Sequence, residues 1–176
     1  GENYVVVCNH NSLMDVPVST PFMPRANKTI AKVSFSKVPV FGWVYKFGSV
    51  LVDRRSDQSR RKSFEEMKTI LSLGLDMLIY PEGTRNRTGD PLKSFFDGAF
   101  RLAVDTQKRI IPTVLFNSKN ILPPSPSFCL LPGKIEMHFL PPVHVAGKTS
   151  KELKEEVFEL MWNYYPSHQA LLEGRI

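Results

Sequence analysis

Short runs of apolar, often β-branched residues recur along the chain, each closed by a polar cluster or a proline, with helically spaced segments between them. Tyr4, Val5, Val6, Val7 and Cys8 form the first such run and read as a buried strand. Further strands are expected at residues 29–33, at 48–52, at 75–80 between Gly74 and Pro81, and at 109–116. Residues 134–139 alternate and then meet Pro141 and Pro142, which marks an edge strand. Ser12 followed by Asp15 has the form of a capping box, so a helix is expected to start there and to stop in a loop marked by Pro21 and Pro24. Residues 57–73 place Phe64, Met67 and Leu71 at helical spacing, with Arg60, Arg61 and Lys62 in the early turns. Residues 95–107 and 151–164 are read as two more helices, the last with Leu153, Val157, Leu160, Met161 and Tyr164 inward. The aromatic stretch 38–47 is too short to span a bilayer and is expected to be mostly core; an acyl groove or a membrane surface is the alternative. Residues 122–132 are proline-rich and loop-like. The alternation implies an α/β fold, a mixed, mostly parallel sheet flanked by helices, in one domain spanning residues 1–176.

Composition narrows the partners. The chain is 42% hydrophobic and 23% charged, as in a globular domain, and carries a net charge of +6. That charge suits lipid headgroups, the phosphates of coenzyme A, an acidic carrier protein or nucleic acid. Two cysteines, Cys8 and Cys129, lie far apart with no Cys-x-x-Cys pair, which excludes a disulfide scaffold and a zinc finger and fits a reducing compartment. His138 and His144 do not stand at metal-ligand spacing, and no metal site is expected. There is no run of about twenty apolar residues, so no transmembrane helix is expected within these residues, and they do not read as carrying a signal peptide.

Two polar clusters follow strands. In Asn9-His10-Asn11-Ser12-Leu13-Met14-Asp15 the histidine lies just past the first strand, where active-site residues of α/β sheets gather. A carboxylate against one imidazole nitrogen fixes the tautomer and supports the cation formed when the other nitrogen takes a proton. Imidazole titrates near ~6.5, which suits general-base work at neutral pH. Alone, this pair is also consistent with a capped helix and an ordinary loop histidine. A Cys8–His10 nucleophile is the alternative pairing, although Cys8 ends an apolar strand where buried, structural cysteines sit. Ser12 lacks a Gly-x-Ser-x-Gly elbow. The second cluster, Tyr80-Pro81-Glu82-Gly83-Thr84-Arg85, offers a glycine turn and a guanidinium able to grip a phosphate. Between them, Asp53, Arg54 and Arg55 close another strand.

Taken in order, Asn9-His10…Asp15, Gly48…Asp53-Arg54, Pro81-Glu82-Gly83-Thr84-Arg85 and Ile110-Ile111-Pro112-Thr113-Val114 resemble the four blocks of the glycerolipid acyltransferase family, which includes the bacterial lysophosphatidic acid acyltransferases. Phe95-Phe96-Asp97-Gly98-Ala99 is similar to that family's Phe-x-x-Gly-Ala stretch, except that Asp97 stands where a basic residue is common. The resemblance implies a glycerol-phosphate acyltransferase-like fold. It also implies a reaction, transfer of a fatty acyl group from acyl-CoA or acyl-carrier protein to the free hydroxyl of lysophosphatidic acid, giving phosphatidic acid for phospholipid biosynthesis. His10 would be the base and Asp15 its support. Arg54, Glu82, Gly83, Thr84 and Arg85 would form the acceptor phosphate site. Lys32 would sit near the oxyanion and Pro112 on the donor side. No cofactor is implied beyond the acyl donor as co-substrate. The expected setting is a membrane surface at the cytoplasmic face, with a membrane-associating segment expected to precede Gly1.

Other acceptors remain open: glycerol phosphate, another lysophospholipid or an amino-acid lipid. A thioesterase would use the same His–Asp pair without an acceptor. A basic binding module is the alternative of a different class; nucleic acid is disfavoured because the basic residues neither interleave with an RNP-type aromatic pattern nor lie on a recognisable reading helix.

Overall fold

The structure is a computed structural model and describes residues 2–37, 41–53, 55–123 and 129–173. Arg54, residues 38–40 of the aromatic stretch and residues 124–128 of the proline-rich stretch lie outside the described residues.

Among the described residues six strands form one sheet: β1 (Val5–Cys8), β2 (Asn27–Lys32), β3 (Ser49–Val52), β4 (Asp76–Ile79), β5 (Ile110–Phe116) and β6 (Glu136–Phe139). Their spatial order is β3-β2-β4-β1-β5-β6. β1 to β5 run parallel, and β6 is the antiparallel edge strand that its alternation and flanking prolines predict. The fully buried runs of β1 and β4 follow from their place inside a parallel sheet, covered on both faces. Among the described residues six α-helices connect or flank the strands: α1 (Asp15–Phe22), α2 (Phe41–Gly48), α3 (Asp57–Ser72), α4 (Gly98–Thr106), the short α5 (Ser118–Ile121) and α6 (Ser150–Glu173). One apolar core joins α3, α4 and α6 to one sheet face, through Met67, Leu71, Phe100, Leu102, Leu153, Val157 and Met161 against Val5, Val7, Met77 and Ile79. A smaller core on the opposite face packs Met23 and Val16 against Val6, Cys8, Leu78, Tyr80 and Leu115.

This order locates the site. From β1 the chain crosses to β2 on one side, and from β4 it crosses to β5 on the other, while β1 and β4 are neighbours in register (Val7 beside Ile79). Adjacent strands whose connections leave in opposite directions open a crevice at their carboxyl ends. His10 leaves β1 there and Glu82 leaves β4 there.

Several sequence expectations are corrected. The first helix begins at Asp15, with Met14 rather than Ser12 at its N-cap and no side-chain cap, and it runs through Pro21. Pro21 lies near the C-terminus, where the missing N–H removes one intrahelical bond without breaking a long helix. Within the aromatic stretch Trp43 and Phe47, one turn apart on α2, are not core: they are 72% and 64% exposed. Leu160 is 43% exposed, because it lies one residue off the inward stripe Leu153–Val157–Met161. The fourth helix begins at Gly98, three residues later than expected.

Candidate active site

Asn9 shows how the first loop is held. Its side chain is fully buried and behaves as one more rung of the β1–β5 ladder: Oδ1 accepts from the Leu115 N–H at 2.7 Å and Nδ2 donates to the Leu115 carbonyl at 3.0 Å. The main chain is therefore free to leave the sheet at His10. The His10 N–H donates to Glu82 Oε1 at 2.9 Å, and its carbonyl accepts from the Asn86 N–H at 2.6 Å. The loop after β4 thus fixes both the N–H and the carbonyl of His10, which stands on the loop after β1.

His10 Nδ1 stands 2.7 Å from Asp15 Oδ2. The same oxygen accepts from the backbone N–H groups of Asn11 at 2.6 Å and Ser12 at 2.7 Å. This is the reciprocal half of the expected capping box; the Ser12 hydroxyl instead accepts from Met14 at 3.3 Å and donates to the Leu122 carbonyl at 3.2 Å. Asp15 is fully buried and its Oδ1 has no hydrogen-bond partner among the described residues, so the carboxylate's bonding is concentrated on the oxygen that faces the imidazole. His10 keeps 19% exposure, and Nε2 is bonded to no described residue. A carboxylate on Nδ1 makes Nδ1 the protonated nitrogen of the neutral ring and leaves Nε2 a lone pair for an incoming proton. The Tyr80 ring lies against the imidazole, centroids 4.7 Å apart, and its hydroxyl is tied to Ser19 Oγ at 2.5 Å.

The second loop has a buried anchor and an exposed cationic face. Glu82 is fully buried; besides His10 it accepts from the Lys93 N–H at 3.1 Å through Oε2. Burial pushes its carboxyl up to about 7, against the two backbone donors that favour the ionised form. Gly83 turns the chain at φ 69°, a left-handed conformation that a side chain would strain. Thr84 Oγ1 accepts from Lys93 Nζ at 2.9 Å. Thr84, Arg85, Arg87, Thr88 and Lys93 line a cavity of about 420 Å³. Three cations and two hydroxyls on one concavity can receive an anion with several acceptor oxygens. On the α3–α4 side, a groove of about 1140 Å³ starts at Tyr80, Pro81 and Gly83 and continues over Ile30, Phe64, Met67 and Ala99, with Arg60, Arg61 and Arg101 among its polar lining.

The structure brings His10 and Asp15 together and puts Thr84 and Arg85 on the loop that bonds the His10 backbone. Glu82, expected to shape the phosphate site, is instead turned inward and organises the two loops. Lys32 ends β2 at the same edge of the sheet with its side chain exposed. Pro112 is buried within β5 beside Val7, inside the sheet rather than on the open face of the crevice. Cys8 is buried, its thiol pushed well up by burial, so it fits the structural role and not the nucleophile's. Asp97, at the N-cap of α4, ion-pairs with Lys154 of α6 at 2.5 Å, which accounts for an acid at that position. Asn9, Tyr80, Arg87 and Lys93 escaped the sequence reading. Asn9 and Tyr80 flank recognised residues; Lys93 is joined to Glu82 and Thr84 only by the loop's folding. Among the described residues no group of three or more His, Cys, Asp or Glu could hold a metal ion.

The His–Asp pair in a crevice at the switch point is the arrangement of an α/β enzyme domain, and comparison with known proteins names its family. The family model described as Acyltransferase matches residues 1–115, and the chain belongs to that family. It is 32% identical over 152 residues to the mouse 1-acyl-sn-glycerol-3-phosphate acyltransferase alpha, covering 85% of this chain and 53% of that one. It is 31% identical over 123 residues to the Helicobacter pylori 1-acyl-sn-glycerol-3-phosphate acyltransferase, covering 69% and 52%. The crystal structure of the 1-acyl-sn-glycerophosphate (LPA) acyltransferase PlsC from Thermotoga maritima superposes with a TM-score of 0.79 at 28% identity, over 96% of this chain and 67% of that chain. The chain spans about half the length of these two curated relatives, and 39% of a Chlamydomonas reinhardtii relative 30% identical to it.

Proposed function

We propose that the protein transfers a fatty acyl group from a thioester donor, acyl-CoA or acyl-carrier protein, to the free hydroxyl of lysophosphatidic acid, giving phosphatidic acid. The observation that carries this reading is the pair of loops joined at His10: a carboxylate-supported imidazole on one and a tri-cationic cavity on the other, fastened by Glu82. His10 Nε2 takes the proton of the acceptor hydroxyl. The oxygen attacks the thioester carbonyl, the C–S bond breaks as the tetrahedral intermediate collapses, and the proton passes from His10 to the departing sulfur. Asp15 stabilises the imidazolium between the two transfers. Arg85, Arg87 and Lys93 hold the acceptor phosphate, with Thr84 and Gly83 shaping the turn; the acceptor role of Arg54, which lies outside the described residues, rests on its motif alone. Lys32, exposed at the carboxyl end of β2, is the proposed charge for the developing oxyanion. The donor-side assignment of Pro112 is confined to shaping β5 beneath the loop. The reaction so drawn uses no cofactor; the acyl donor is a co-substrate. The names of the relatives, all acting on 1-acyl-sn-glycerol-3-phosphate, support the choice of acceptor. The lipid acceptor makes a membrane surface the working environment, on the cytoplasmic side where acyl donors are found. Among the described residues no helix is long and apolar enough to cross a membrane.

The test is thiol release from acyl-CoA, with and without lysophosphatidic acid, for wild type and His10→Ala. Acceptor-dependent release that falls roughly 10²–10⁴-fold in the variant supports the proposal. Release that needs no acceptor identifies a thioesterase, and equal rates in both proteins remove His10 as the base.

A further inference from the structure

The layer made of α1, the 3₁₀ turn Val33–Lys37 and α2 has a surface unlike the rest of the molecule. The steps from β1 to β2 and from β2 to β3 run in the same direction along the sheet, so right-handed crossovers put α1 and α2 on one face. The opposite face carries α3, α4 and α6. Between residues 13 and 52 the chain holds Arg25, Lys28, Lys32, Lys37 and Lys46 but one acid, Asp15, which is buried against His10. The same stretch leaves Phe22 and Trp43 both 72% exposed, Phe47 64%, Leu13 44% and Val33 39%. Trp43 and Phe47 form an outward pair with ring centroids 5.9 Å apart, next to exposed Lys46, whereas Tyr45 turns back onto Phe35 at 5.2 Å. Aromatic rings and lysines side by side, with no exposed acid among them, match the interfacial zone of a bilayer: rings at the headgroup level, ammonium groups on lipid phosphates.

We infer that this layer is the face by which the protein docks on an anionic lipid bilayer, with Trp43 and Phe47 as the inserted anchors. The inference deepens the proposed function by naming the surface that meets the lipid. Leu13, exposed between His10 and Asp15, belongs to the same layer, so docking brings the catalytic loop to the membrane from which a lysophospholipid would be drawn. The missing acidic residues favour a bilayer over a second copy of the chain: apposing two such layers would set like charges against each other with no exposed acid in either layer to offset them.

The experiment is vesicle co-sedimentation with phosphatidylcholine alone and with added phosphatidylglycerol. It compares wild type with a Trp43→Ala/Phe47→Ala double variant, with Lys46→Glu and with Leu73→Ala, the last an equally exposed apolar residue (71%) at the end of α3. Wild type and Leu73→Ala are expected to bind the anionic vesicles alike. The double variant is expected to lose roughly tenfold or more in partitioning, and Lys46→Glu to lose binding to anionic vesicles selectively. In a Trp162→Phe background, Trp43 is the sole tryptophan, and its emission should shift to the blue on adding anionic vesicles. Failure of wild type to bind, equal binding by the double variant, or an unshifted Trp43 emission overturns the inference. So does self-association that the double variant abolishes while vesicle binding stays unchanged. Thiol release in detergent micelles separates the two readings: a failed docking face leaves turnover there, and a failed acyltransferase reading leaves vesicle binding without turnover.

Discussion

Glu82 Oε1 accepts the backbone N–H of His10 at 2.9 Å, so a buried carboxylate from one loop sets the position of the proposed base on the other. Its folded-state carboxyl titrates at about 7, against an ordinary 4.5. Between those values the folded protein holds a proton that the unfolded chain has released. Stability from this group therefore falls as pH rises from about 4.5 to about 7, and is flat outside that window. The gap corresponds to on the order of 3 kcal/mol at most. Glu82→Gln has no proton to lose there. Melting temperature measured across this window should decline less steeply for the variant than for wild type. Parallel curves would remove the assignment of the titration to Glu82.

Asp15→Asn tests the support of His10. One oxygen, Oδ2, serves the imidazole and two backbone N–H groups. An amide cannot both keep the backbone bonds and stabilise an imidazolium by charge. The maximal rate should fall roughly 10²–10⁴-fold, with the half-saturating donor concentration little changed. Steady-state thiol release at saturating acceptor reads this, and a rate within a few-fold of wild type would limit Asp15 to holding the loop.

Lys93→Met keeps the length of the side chain and removes the cation that joins Thr84 in the cavity. KM for lysophosphatidic acid should rise roughly tenfold or more, with a smaller change in kcat. A monoacylglycerol, which lacks the phosphate, should be used equally by variant and wild type. An unchanged KM for the phosphate acceptor would place the anion elsewhere.

Much of the catalytic arrangement was legible because it is local. His10 and Asp15 are five residues apart on one turn, and the Ser12–Asp15 box already directed the carboxylate back toward the loop. Gly83 announced its left-handed turn, and the proline pair after residue 139 announced the edge strand. The inward aim of Glu82 was not legible, because its neighbours Gly83, Thr84 and Arg85 are at least partly exposed and nothing local distinguishes a carboxylate aimed inward from one aimed at a ligand. The aromatic stretch was misread for the same reason: hydrophobic residues are expected inside, and only the packing of α2 against β2, β3 and the 3₁₀ turn shows that Trp43 and Phe47 face away.

By itself, then, the chain determined its strands, its principal helices, the His–Asp pair and the order of the motifs, since each depends on periodicity or on side chains within reach along the backbone. The tertiary structure alone decided that β1 lies between β4 and β5, and with that the contacts across those strands: Glu82 on the His10 N–H, Tyr80 against the imidazole and Asn9 on β5. These contacts join residues as much as 106 positions apart. They exist because a sheet switches direction at that point, and strand order is a property of how the whole hydrophobic core closes.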